Sequence, residues 1–196
     1  MIQMIQMIEI ALILKIFFLL NPFASFPVLS AAYKKKLNVR KIAFQSVIFA
    51  FLIAIAFVLV GPLILQVFGI DIPAFRAAGG LVIILLGIGM TKEKEVKDVT
   101  KEDSMVSLIA TPLLTGPATL SFLMLNVGTI GFVPLLSNVM VSFILTGSVF
   151  VIFALAISRI QTKYITFIGR LLGLFIIALG IEMLGLGVKE ILSMTA

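Results

Sequence analysis

The sequence predicts an all-α integral membrane protein: six transmembrane helices arranged as two inverted three-helix repeats, the first helix of each repeat being interrupted. Three observations carry this. Hydrophobic residues make up 61% of the 196-residue chain and mean hydropathy is +1.26, whereas a soluble domain is roughly half apolar. Apolar stretches of about 20 residues, the length that crosses a bilayer, recur six times between short connections. Two of these stretches carry the same arrangement, a polar residue before a proline with a second proline five residues on: Asn21-Pro22 with Pro27, and Thr111-Pro112 with Pro117.

The spans fall at about 6–31, 42–66, 74–91, 104–128, 133–158 and 166–188. The first follows "MIQMIQMIEI", which lacks the basic segment and small-residue cleavage site of a signal peptide; Met1, Met4 and Met7 leave the start codon open. It carries Lys15 and the break "NPFASFP" at 21–27. The second contains Gln45 and Ser46. The third opens on Arg76, for which neighbouring Asp71 is the expected ion-pair partner, and contains Gly79, Gly80, Gly87 and Gly89. The charged segment "TKEKEVKDVTKEDS" (91–104) then divides the chain into repeats at 1–98 and 99–196. The fourth span holds "TPLLTGP" at 111–117, the fifth Ser137 and Asn138, and the sixth Arg170, Gly173, Gly180 and Glu182. The glycines read as close helix packing.

Six spans put both termini on one side. The loops of the other side hold Lys34, Lys35, Lys36, Arg40, Lys41, Lys92, Lys94, Lys97, Lys101, Arg159 and Lys163, while the terminal side has little beyond Arg76 and Lys189. Basic residues concentrate in cytoplasmic loops, so both termini are expected outside the cytoplasm of a plasma-membrane protein. The same distribution explains the net charge of +6 without nucleic acid, since no aromatic residues interleave a basic patch.

The halves align. A shift of 90 carries Pro22 onto Pro112, Pro27 onto Pro117, Asn21 onto Thr111 and Ser25 onto Thr115. A shift of 93 carries "GLVIILLGIGM" (80–90) onto "GLFIIALGIEM" (173–183), and a shift of 92 carries Gln45-Ser46 onto Ser137-Asn138. Three spans per half forces opposite insertion, and broken segments at matching positions of inverted repeats point to a secondary-transporter binding site. Pro22 lies about 12 residues, or about 18 Å of helix, from Lys34, which places the break near the middle of a core about 30 Å thick. An unwound segment survives in lipid only when buried in protein or lining a wet cavity. What it offers is a half-helix N-terminus suited to a carboxylate, and freed carbonyls suited to an ammonium group or a cation.

"NPFASFP", "AFRAAGG" and "TPLLTGPAT" resemble the signature segments of the MarC family of integral membrane proteins, and the similarity covers nearly the whole chain. The resemblance implies six spans and, for the SnatA-like branch, transport of small neutral amino acids. Ala24 stands where the family's NPxG pattern carries glycine, which narrows that turn.

The expected substrate site joins Asn21, Pro22, Ala24 and Ser25 to Thr111, Pro112, Thr115 and Gly116. No ionisable residue lies in either break, so a charged substrate side chain would be unpaired and a bulky one would meet Ala24 and Gly116. Glycine, alanine and serine fit best. Lys15 and Glu182, charged inside spans, are candidates for pairing and for gating or coupling; snorkelling to the surface is the alternative. Without cysteine or histidine, and with no aspartate in a span, an enzyme is disfavoured, and no metal site or cofactor is expected. Coupling to sodium or protons, a homo-oligomer, a channel-like or exporter protein for another solute, and a non-transport structural membrane protein all stay open.

Overall fold

A computed structural model describes residues 9–91, 102–159 and 162–195, and all regular structure among them is helical. The proposed boundary at 98/99, the loop lysines 92, 94, 97 and 101, and Met1, Met4 and Met7 lie outside the described residues.

Helices α1 (Ile10–Leu20) and α2 (Pro22–Lys34) together form the first span, and α3 (Val39–Val67) and α4 (Ile72–Thr91) the next two. The fourth expected span is not one helix. It is α5 (Glu102–Leu108), a π-helix (Ile109–Leu114) and α6 (Pro117–Ile130). Helices α7 (Phe132–Ala156) and α8 (Thr162–Thr195) complete the chain. Among the described residues, five segments are long and apolar enough to cross a membrane: Ile10–Lys34, α3, α4, α7 and Phe167–Met194 of α8. Their outward faces carry Phe44, Leu63, Ile144, Leu155 and Phe175, each more than half exposed; that much bare apolar surface suits lipid, not water.

Inside, α3 and α7 each bury one stripe at four-residue spacing. Ser46, Ala50, Ala54 and Val58 line it on α3; Asn138, Ser142, Thr146 and Phe150 line it on α7. Spacing of four keeps side chains on one helical face, and each α7 member lies 92 positions after its α3 counterpart.

Helices α4 and α8 pack most closely. A Cβ built on Gly80 would lie 2.4 Å from the Leu184 nitrogen and 2.7 Å from the Gly180 oxygen. One on Gly87 would lie 2.7 Å from the Gly173 oxygen, and one on Gly187 2.5 Å from the Ala77 nitrogen. Only hydrogen fits at these positions, which lets the two backbones touch. Arg76, in the second turn of α4, pairs with Glu190 near the end of α8 and not with Asp71 as expected. Antiparallel packing of α4 on α8 brings those two ends together.

Candidate functional site

The first break is one residue long. Asn21 takes the left-handed conformation, φ 46° and ψ 62°, which asparagine tolerates better than most residues. Its backbone N–H donates to the Phe17 oxygen at 3.2 Å and closes α1. Its side-chain oxygen accepts from the Ala24 N–H at 3.3 Å and opens α2, as an N-cap does. Pro22 is the first residue of α2, where a missing donor costs nothing. The expected unwound stretch 21–27 is therefore corrected: Pro22 to Pro27 is helical, and Pro27 only fails to donate to the carbonyl one turn back.

The second break falls at the far end of the expected stretch 111–117. Thr111 and Pro112 lie within the π-helix, whose wider turn carries the chain past Pro112. The interruption comes at Thr115 and Gly116, and Pro117, not Pro112, is the first residue of the following helix. Thr115 Oγ1 donates to the Ala110 oxygen at 2.6 Å, satisfying an acceptor inside the distorted turn. Gly116 has no side chain with which to cap α6.

The breaks meet. Thr119 Oγ1, in the first turn of α6, lies 3.2 Å from the Leu19 oxygen at the first break and 3.2 Å from the Leu114 oxygen at the second. One hydroxyl thus serves carbonyls that helix continuity no longer satisfies. Asn21 Nδ2 donates to the Met90 sulfur at 3.1 Å, tying the first break to the end of α4. Asn21, Ser25, Thr115 and Thr119 are each at most 1% exposed, so the junction is closed to solvent. Ser25 Oγ in α2 and Ser46 Oγ in α3 are buried with no hydrogen-bond partner, a costly state that a polar ligand relieves. Pro22 is buried, and Ala24 and Gly116 are partly exposed.

Sequence reading missed Thr119, Met90 and the wider role of α7. Asn138 accepts the Glu9 N–H at 2.9 Å and so fixes the start of α1. Ser142 Oγ lies 3.1 Å from the Ile13 oxygen and 2.8 Å from the Asn138 oxygen. The four-residue spacing of Asn138, Ser142 and Thr146 was the available signal.

Lys15 and Glu182 lie apart from the junction. Lys15 Nζ is 3.6 Å from Glu182 Oε2, with side chains 43% and 56% exposed. They line a cavity of about 340 Å³ with Glu9, Arg76, Asn126 and Thr129. Its floor includes Phe122 and Met183, each only 5–6% exposed.

A family model described as "MarC family integral membrane protein" matches residues 6–192. The UPF0056 membrane protein MJ1677 of Methanocaldococcus jannaschii is 31% identical over 190 residues, covering 89% of this chain and 92% of the relative. A UPF0056 membrane protein of Aquifex aeolicus is 28% identical over 89% of each chain. YvbG of Bacillus subtilis, also named a UPF0056 membrane protein, is 27% identical over 90% of this chain and 92% of its own. No solved structure matches the chain.

Proposed function

The chain belongs to the MarC family of integral membrane proteins, and on that premise we propose that it is a secondary active transporter of small neutral amino acids, binding the zwitterion where its two helix breaks meet. The observation that carries the reading is Thr119, whose hydroxyl stands between the Leu19 and Leu114 carbonyls. A membrane protein that only needed bent helices would have no reason to bring two breaks together around a shared donor. The N-terminus of α6, without a side-chain cap, offers N–H groups to a carboxylate. Leu19 and Leu114 offer carbonyls to an ammonium group, and Ser25 and Ser46 supply unengaged hydroxyls.

Inverted repeats are part of the proposal. Exchanging the halves at a shift of 93 turns the contact of Gly80 with Gly180 into that of Gly173 with Gly87, and both contacts are present. The matched stripes on α3 and α7 support the same exchange. With both termini outside the cytoplasm, alternating access is rocking of one half against the other around the junction.

The test is uptake of labelled glycine, alanine and serine into proteoliposomes under imposed sodium or proton gradients. Gradient-driven accumulation of these three, with leucine and glutamate excluded, is the expected result. Passive flux indifferent to either gradient would mark a channel-like protein, and no flux of any amino acid would leave a structural role.

A further inference from the structure

We infer that the cavity between α1, α4, α6 and α8 is a second, outer binding site that receives a zwitterionic amino acid by opening the Lys15–Glu182 ion pair. The inference rests on the transport reading for the solute's destination, but its own evidence lies elsewhere in the molecule.

The cavity has about 340 Å³, near the lower end of ligand pockets, and so suits a small solute. Its walls carry both signs of charge. Two ion pairs border it, and they differ. Arg76 is 16% exposed and engaged with Glu190, a pair that fastens the start of α4 to the end of α8. Lys15 and Glu182 stand 3.6 Å apart and are about half exposed. Both charged groups are therefore within reach of a solute in the cavity they line. A zwitterion carries its carboxylate and ammonium on one carbon. Inserted between the pair, it gives its carboxylate to Lys15 and its ammonium to Glu182, and one ion pair becomes two. A lone anion or cation would strand one of the two side chains. The chemistry selects a molecule with both charges.

The fold itself does not require these charges. At a shift of 90, Lys15 corresponds to Met105; at a shift of 93, Glu182 corresponds to Gly89 and Arg76 to Gly169. The aligned positions of the other half carry uncharged residues in all three places. These charges belong to the face that carries the termini. The cavity also leads toward the junction: α6 runs from Pro117 at the break to Ile130 at the cavity wall. Phe122, on the floor, is one turn beyond Thr119.

The test uses purified full-length protein, for equilibrium binding of labelled alanine and for uptake in proteoliposomes. Lys15→Gln and Glu182→Gln are each expected to raise the half-saturating alanine concentration about tenfold, the scale for losing one charge-assisted contact. Lys15→Arg should keep the parent's affinity. Propionate and alaninamide, each lacking one of the two charges, should compete far less well than alanine. Unaltered half-saturation in both neutralised variants, with uptake intact, overturns the outer site and leaves the transport reading standing. Equal competition by propionate also overturns it. Alanine binding that depends on Lys15 and Glu182, in a protein that transports nothing, supports the outer site and ends the transport reading.

Discussion

At the residue scale, Asn21 does two jobs that no other residue type combines as cheaply. It adopts the left-handed turn that ends α1, and its side chain caps α2. Asn21→Gly keeps the turn and loses the cap; Asn21→Ala loses the cap and strains the turn. We predict a cost of about 0.3 kcal/mol for glycine and about 2 kcal/mol for alanine, read as a graded fall in the thermal midpoint by circular dichroism. Equal midpoints for the two variants would mean that the turn conformation contributes nothing. Thr119→Val keeps the shape and removes the hydroxyl that faces Leu19 and Leu114. It should cost about 1–3 kcal/mol and abolish uptake, whereas Thr119→Ser should retain both. Uptake at the parent's rate by the valine variant would detach Thr119 from the site.

Helices and their contacts show what could be read from the chain and what could not. The first break was legible because a polar residue before proline ends a helix for local reasons. Its length was not, because Pro27 could be read as a second disruption and is instead accommodated within α2. Proline spacing located the second break, but the π-helix moves the interruption from Pro112 to Gly116; a change of helical register leaves no mark in residue type. Thr119 and Glu190 escaped notice because their partners Leu19 and Arg76 lie 100 and 114 residues away. Glycine spacing, by contrast, pointed directly to close packing. At this scale we predict that Gly80→Ala, whose methyl group would meet the Leu184 and Gly180 backbones, separates α4 from α8 and lowers the thermal midpoint sharply. Gly185→Ala, in the same interface helix but with nothing within 4 Å, should be neutral or stabilising by about 0.5–1 kcal/mol. Equal midpoints for the two variants would mean that the Gly80 contact is not what holds α4 on α8.

For the whole molecule, charge predicts the orientation. The basic residues Lys34, Lys35, Lys36, Arg40, Lys41 and Arg159 sit at the ends of α2, α3 and α7, opposite the terminal side. The chain has no native cysteine, so a single cysteine added at either end reports its own exposure. We predict that an impermeant thiol reagent labels both ends on intact cells; protection of either would reverse or break the six-span topology.

The touching glycines also join two helices into one beam. Gly187 meets Ala77, Gly180 meets Gly80 and Gly173 meets Gly87, so the contact runs about 15 Å along α4 at 1.5 Å per residue. The Arg76–Glu190 pair fastens one end of it, and Ile83 and Ile176, both 0% exposed, are sealed beside its middle. Two rods joined over such a length resist bending better than either alone. The first break is moored to that beam, because Asn21 donates to Met90 at the end of α4.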